Sequence, residues 1–245
     1  MHTFARRTAA VLSAKGLAAL MAAFPMLASR GNDQDVSGTP PQESGGSAPE
    51  TLNWDKFLSQ IAALAEIQFT PGWDQDSYVS DVAKVMAALD LHDPTLMDFY
   101  ADCANQVRGF PDITTIHHEP AFEVAVLQFE AGDTIGLHDH PDITGVLMCV
   151  TGAVEVESFN LLEECSVRGN PLLEHVETVT LAGGQIGTLT TVQKNIHALR
   201  APVFTRLLDV FTPPYNDDRV QRSRWFVRSQ EPYDGRAGIF EAKES

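Results

Sequence analysis

Basic residues are scarce in this sequence. Its 245 residues include 17 Lys and Arg against 33 Asp and Glu, which gives a formal net charge of −16. Because nothing offsets the repulsion between such a surface and phosphate groups, we expect neither nucleic acid nor an anionic membrane as a partner. The composition is otherwise that of a soluble globular protein, with 44% hydrophobic and 20% charged residues.

Cysteine is also rare. The three cysteines, Cys103, Cys149 and Cys165, are spaced irregularly and match neither a zinc-binding pattern nor a disulfide framework. Cys149 lies in the apolar run "GVLMCV" and is predicted to be a small buried side chain. The sequence contains no internal repeat.

Acidic residues are absent from the first 32 positions, which contain four basic residues around the Ala/Leu-rich stretch "TAAVLSAKGLAALMAAFPMLAS". This composition predicts a targeting segment over residues 1–32. "RRTAAVL" resembles part of a twin-arginine export signal, and an organellar transit peptide fits nearly as well. We therefore expect export to a periplasm or import into an organelle. No stable membrane span is expected, because Lys15 interrupts the apolar run.

Two further segments precede the main domain. Residues 33–50 are rich in Gly, Ser, Pro and acidic residues, and they predict a disordered linker. Residues 51–109 have helical periodicity; "NWDKFLSQIAALAEI", for example, places Trp54, Phe57, Ile61, Leu64 and Ile67 on one face. Two more segments, "DSYVSDVAKVMAALD" and "DPTLMDFYADCANQV", open with an Asp suited to capping a helix. This region is predicted to be a helical layer that packs on the next domain.

Residues 110–245 have a different pattern. "AFEVAVLQFEAG", "GVLMCVTGAVEVESFNLL", "HVETVTLAGG", "GTLTTVQ" and "VFTRLLDVFT" are short and rich in β-branched residues, with Gly, Pro, Asn or Asp between them. Many short antiparallel strands of this kind indicate a sandwich or barrel. The predicted fold class is therefore mainly β, with a small helical N-terminal layer before the barrel.

The stretch "GDTIGLHDHPDITGVLMCVTG" (132–152) contains two histidines one residue apart. Side chains at positions i and i+2 of a strand point to the same face, so His138 and His140 could bind one metal ion. Two solvated histidines at a strand end are the alternative. The spacing of Gly132, the HxH pair, Gly145 and Gly152 resembles the first motif of the cupin superfamily, whose fold is a jelly-roll barrel. Gly145 stands where many cupins have a metal-binding Glu.

A third ligand must come from another strand, and the candidate is His197 in "QKNIHALRAP". It lies far enough along the chain from His140 for two or three intervening strands of a jelly roll. The other histidines are weaker candidates. His2 lies in the targeting segment, and His92 follows a helix. His117 and His118 precede a strand as a surface or edge pair, and His175 lies between acidic residues.

The resemblance becomes specific when three segments are taken together. "PAFEVAVLQFEAGDTIGLHDHPDITGV", "NIHALRAP" and "LLDVFTPPYNDD" occur in the order found in the cysteamine dioxygenases and plant cysteine oxidases, which are three-histidine thiol dioxygenases on a cupin fold. The resemblance implies that His138, His140 and His197 are ligands of Fe(II). It also implies that Asp209 is an acid near the iron and that Tyr215 is the family's tyrosine after the proline pair.

Asp209 is unusual even without the resemblance, because it is a carboxylate within the apolar strand "RLLDVF" and an unpaired buried charge is costly. It could pair with a substrate amine or orient a ligand histidine. The alternative is a structural salt bridge to an arginine such as Arg206 or Arg200. Tyr215 could likewise be a core aromatic residue with no functional role.

The function that the resemblance implies is the addition of both atoms of O₂ to a thiol, which gives a sulfinic acid. Three neutral imidazoles leave the charge of the metal uncompensated, and an anionic ligand such as a thiolate is then favoured. The expected partners are O₂ and cysteamine, free cysteine or a peptide with N-terminal cysteine, and the chain is expected to be a monomer. Two alternatives stay open: another metal-dependent cupin oxygenase or isomerase, and a non-catalytic ligand-binding cupin.

Overall fold

A computed structural model describes residues 51–104 and 112–245. The predicted targeting segment, the linker and the boundary at 109/110 lie outside these residues. The helices are α1 (Trp54–Ala65), α2 (Gln75–Ala87), α3 (Pro94–Ala104) and α4 (Asp217–Arg222). The strands are β1 (Asp112–His118), β2 (Glu123–Phe129), β3 (Thr134–Asp139), β4 (Thr144–Thr151), β5 (Ala153–Cys165), β6 (Pro171–Ala182), β7 (Ile186–Leu189), β8 (Ile196–Arg200), β9 (Thr205–Thr212), β10 (Phe226–Arg228) and β11 (Ile239–Glu244).

The strands form two antiparallel sheets that enclose a barrel core. One sheet has five strands in the order β1-β2-β9-β4-β7, and the other has six in the order β10-β11-β6-β5-β8-β3. Helices α1 to α3 precede the first strand. The predicted fold class, a mainly β barrel of the cupin type preceded by a small helical layer, is confirmed.

Strand β9 shows that the five-stranded sheet packs against the helices on one face and against the other sheet on the opposite face. Leu208 and Val210 belong to the cluster that includes the helix side chains, whereas Leu207 and Phe211 belong to the cluster between the two sheets. Alternate side chains of a strand point to opposite faces, so both faces of β9 are covered. The barrel interior therefore receives the odd-numbered residues of β9, and Asp209 is one of them.

Helices α1, α2 and α3 begin at side-chain caps. The cap of α2, however, is a different residue from the one that the sequence predicts. The Asn53 side chain accepts from the Lys56 backbone N–H, and Asp93 accepts from Thr95 at the start of α3. The cap of α2 is Asp74, two residues before the predicted Asp76. Helix α1 ends at Ala65, which leaves the predicted core residue Ile67 beyond it and 51% exposed.

Two further features complete the architecture. The pair His117 and His118 lies within β1, and not before a strand as the sequence suggested. Among the helices of the described residues, none has the length and apolar character needed to cross a bilayer.

Candidate metal centre

Three imidazoles converge at the edge of the six-stranded sheet. His138 on β3 pairs directly across the ladder with His197 on β8, and His140 follows β3 by one residue. The ring centroids are 4.8 Å apart in all three pairs. One ligand atom from each residue can be chosen so that all three lie within 4.8 Å of one another. The structure thus brings together the three histidines that the sequence pointed to.

The hydrogen bonds of the rings favour metal binding through Nε2. His138 Nδ1 lies 2.9 Å from the Gly136 carbonyl oxygen, to which only an N–H can donate. Nδ1 of His140 contacts the Tyr215 hydroxyl. The Nε2 atoms of His140 and His197 are 3.1 Å apart. Two nitrogens that bind one ion at about 2.1 Å lie about 3 Å apart in neighbouring octahedral positions.

Burial keeps these imidazoles neutral. His140 and His197 are buried, and desolvation holds the pKa of each well below its usual value of about 6.5. Desolvation also lowers the pKa of His138. The positive charge of a neighbouring protonated ring adds to the effect for His140 and His197. All three rings are therefore available as neutral nitrogen donors at physiological pH.

A segment near the C-terminus supports the HxH pair from outside. Asp139 points away from the metal centre and is buried. Its two carboxylate oxygens accept from the Arg224 backbone N–H at 2.6 Å and from Arg224 Nε at 2.7 Å. The next residue, Trp225, stacks on the His138 ring with centroids 4.9 Å apart. The Asp139–Arg224 pair thereby fixes the backbone between two ligand histidines and the aromatic ring that covers one of them.

Asn195 holds His140 from the other side. Its Oδ1 accepts from the His140 backbone N–H at 3.1 Å, and its Nδ2 donates to the His140 carbonyl at 3.0 Å. The same Nδ2 donates to the Thr190 carbonyl at 2.9 Å. Asn195 lies two residues before His197, so one side chain ties the segment that carries the third ligand to the backbone of the second. Nothing in the residue pattern around Asn195 indicated this role.

Asp209 is buried on the barrel side of β9, and its Oδ1 has no hydrogen-bond partner. Desolvation raises its pKa well above the usual value, and the nearby charge of Glu123 adds to this. The salt bridge considered from the sequence is not formed with either suggested arginine: Arg200 pairs with Glu155 at 3.0 Å, and Arg206 donates to Gln128 at 2.7 Å. Asp209 instead lines an internal cavity that His197 also lines.

Tyr215 lies next to the metal centre and is not simply a core residue. Its ring packs edge-on against Phe211, with centroids 5.0 Å apart, and Phe211 in turn stacks on His140 at 6.1 Å. Burial raises the pKa of its phenol, so the hydroxyl stays protonated. Because a metal-bound imidazole keeps its proton on the other nitrogen, His140 Nδ1–H would donate to the phenol oxygen. Tyr215 is therefore placed to orient the ring of a predicted ligand, and this role stays a prediction.

Gly145 stands where many cupins have a metal-binding glutamate, and the paired strand β7 packs closely against it. A Cβ at Gly145 would lie 3.2 Å from Leu189 Cγ on the paired strand β7. A side chain at this position would require Leu189 to shift by a few tenths of an ångström. Gly152, at the end of the same motif, has φ +81°, and a Cβ there would lie 2.2 Å from the Phe204 carbonyl oxygen. Only glycine fits this turn.

The donor set fits a divalent transition metal. Neutral imidazoles suit zinc, copper, iron and nickel, and three of them on one side of an ion leave further positions for other ligands. The structure thus supports a metal centre at His138, His140 and His197, while their role as iron ligands stays a prediction.

A family model matches residues 84–244, well over half of the chain. Its description is PCO_ADO, the family of the cysteamine dioxygenases and plant cysteine oxidases. The matched region begins within α2 and includes all eleven strands of the described residues.

Solved structures with similarity to this chain include KdgF from Halomonas sp., with 22% identity, a TM-score of 0.35, and alignment over 46% of this chain and 87% of that one. A double-stranded β-helix protein from Klebsiella pneumoniae has 16% identity and a TM-score of 0.36, over 46% of this chain and 80% of that one. The cupin domain of Schizosaccharomyces pombe Cnp3 has 13% identity and a TM-score of 0.34, over 44% and 67%.

Proposed function

Because this chain belongs to the PCO_ADO family of cysteamine dioxygenases and plant cysteine oxidases, we propose that it is an iron(II)-dependent thiol dioxygenase. Its substrate would be a small aminothiol or a peptide with N-terminal cysteine. The overall reaction is RSH + O₂ → RSO₂H, in which sulfur is oxidised, O₂ is reduced and both oxygen atoms enter the sulfinic acid. The observation that carries the proposal is the convergence of His138, His140 and His197 within 4.8 Å inside a chain of this family.

The protein would hold the iron through the three Nε2 atoms. Iron(II) bound there would supply the electrons for activation of dioxygen and would lower the pKa of the thiol. The Nδ1–H of His138 donates to the Gly136 carbonyl oxygen, and the Nδ1 of His140 contacts the Tyr215 hydroxyl. These contacts fix which nitrogen of each ring faces the metal centre.

The remaining residues shape the space beside the metal centre. Phe211 stacks on the ring of His140, and Trp225 stacks on the ring of His138. Asp209 offers an oxygen without a hydrogen-bond partner in the same interior. Such an oxygen can accept from the ammonium group of an aminothiol, which agrees with the substrate class proposed here.

The test is thiol-dependent oxygen consumption by the purified protein. The protein is loaded with Fe(II) under anaerobic conditions, and cysteamine, cysteine and an N-terminal-cysteine peptide are then supplied with air. We expect consumption of one O₂ per thiol and a product heavier by two oxygen atoms. His197→Ala should abolish this activity, whereas His118→Ala, an exposed histidine on β1, should retain it. Oxygen consumption without any thiol, or activity that survives His197→Ala, would contradict the proposal.

A further inference from the structure

Helix α2 contacts the barrel at the point where strand β9 ends. Tyr78 lies near the start of the helix, and its hydroxyl donates to Thr212 Oγ1 at 2.9 Å. Tyr78 is buried, and desolvation raises the pKa of its phenol to about 12, so the hydroxyl stays protonated and can donate. Thr212, the last residue of β9, is buried as well. This hydrogen bond joins the helical layer to the barrel inside the protein.

The end of β9 is also held by the neighbouring strand. Thr144, the first residue of β4, is opposite Thr212, and its hydroxyl donates to the Thr212 carbonyl oxygen at 3.0 Å. Thr212 is thus held through its side chain by α2 and through its backbone by β4. Alternate residues of a strand point to opposite faces. The Thr212 side chain therefore lies on the helix side, whereas Phe211 lies on the barrel side and stacks on His140.

A short, stiff segment connects Thr212 to the metal centre. Pro213 and Pro214 follow Thr212, and Tyr215 comes next. A proline ring fixes the φ angle at about −65°, so these two residues leave the backbone little freedom to change direction. The position of Thr212 therefore largely determines where Tyr215 lies. Because the Tyr215 hydroxyl contacts His140 Nδ1, a displacement of Thr212 would move that hydroxyl relative to the His140 ring.

We propose that Tyr78 is a positioning residue of the metal centre, because its hydrogen bond to Thr212 holds the segment that places the Tyr215 hydroxyl against His140. The helical layer thereby contributes to metal affinity from the face of the five-stranded sheet opposite the barrel interior. Tyr78 precedes the region that the family model matches, which begins at residue 84, so membership of the family does not by itself imply this role. The inference rests on the metal centre of the proposed function, but it is independent of which thiol is oxidised.

The test is a double-mutant cycle in metal affinity. Tyr78→Phe keeps the buried ring and removes only the hydroxyl. We expect the Kd for Fe(II), measured by anaerobic titration, to rise by about three- to tenfold, since contacts that orient a ligand histidine are worth about 10- to 100-fold and Tyr78 acts through one of them. In protein that already carries Tyr215→Phe, Tyr78→Phe should change the Kd by less than about twofold, because two residues that act through one contact are not additive.

Control variants separate positioning from stability. Gln75→Ala removes the hydrogen bonds from the same end of α2 to Thr191, which lies on a different loop. It should lower the urea midpoint of the metal-free protein and leave the Kd for Fe(II) unchanged. Thr212→Val removes the acceptor of the Tyr78 hydroxyl and should raise the Kd as Tyr78→Phe does. Thr212→Ser keeps the side-chain hydroxyl and should retain the wild-type affinity.

Zn(II) is titrated in parallel, because it binds the same imidazole donors and has no redox chemistry. An unchanged Kd for both metals in Tyr78→Phe, or the same fold-change with and without Tyr215→Phe, would overturn the inference. So would a wild-type protein that binds neither metal. Thiol oxidation would leave the proposed function intact if the Kd values show no coupling. If no thiol is oxidised but the two substitutions are coupled in the Kd for either metal, the proposed function fails and the positioning role of Tyr78 stands.

Discussion

Replacement of Asn195 by alanine should weaken metal binding without any change to a ligand. The substitution removes the acceptor for the His140 N–H and the donor to the His140 and Thr190 carbonyls, three hydrogen bonds of 2.9–3.1 Å. At about 0.5–1.5 kcal/mol each, their loss lowers the free energy of unfolding by roughly 1.5–4.5 kcal/mol. Water can reach part of this segment, so the lower half of that range is expected.

The effect on the metal should be separable from the effect on stability. Contacts that orient a ligand histidine are typically worth about 10- to 100-fold in metal affinity, and we expect a loss in that range for Asn195→Ala. The matched control is Gln75→Ala. Gln75 holds the same loop through three hydrogen bonds to Thr191, of 2.9–3.0 Å, but does not contact His140.

Two assays distinguish the variants. Urea unfolding of the metal-free protein gives the loss of stability, which should be similar in both. Anaerobic titration with Fe(II) gives the metal affinity, which should fall only in Asn195→Ala. Equal metal affinities in the two variants would refute the argument that Asn195 positions His140.

Two further predictions follow from the same site. Tyr215→Phe keeps the ring against Phe211 but removes the hydroxyl that contacts His140 Nδ1. Fe(II) affinity should therefore fall by about tenfold, with little change in the urea midpoint. An unchanged affinity would mean that the phenol does not orient the His140 ring. The second concerns pH. Burial lowers the pKa values of the three ligand histidines below their unfolded value of about 6.5, so protonation favours the unfolded state. The metal-free protein should therefore lose stability as the pH falls below about 6.5, and His197→Ala should weaken this dependence; urea midpoints that stay constant across this range would contradict it.

The parts of the fold that the sequence predicted are those with local signals. The apolar stripe of α1 and the short β-branched segments follow directly from side-chain periodicity, and the structure has helices and strands there. Ile67 was placed wrongly because periodicity continues past the residue where the backbone leaves the helix. The cap of α2 was misplaced because Asp74 and Asp76 both suit the position, and only the backbone geometry distinguishes them.

The residues of the candidate site also fall into those with a local sequence signal and those without one. His138 and His140 were recognisable from their spacing, and Asp209 from its charge in an apolar strand. The third histidine was identified from the cupin-like motif and by elimination of the other histidines, because a pairing between β3 and β8 leaves no local trace in the sequence. The contacts of Asn195 and of the Arg224–Trp225 segment depend entirely on where distant loops meet, so no periodicity or spacing could have revealed them.

The central claim, that a three-histidine iron centre transfers dioxygen to a thiol, is tested most directly by isotope labelling. Fe(II)-loaded protein is given cysteamine, cysteine and an N-terminal-cysteine peptide in separate reactions under ¹⁸O₂ in unlabelled water, and each product is analysed by mass spectrometry. The account predicts a sulfinic acid in which both oxygen atoms carry the label. A product that contains oxygen from water, or disulfide as the only product, would contradict it.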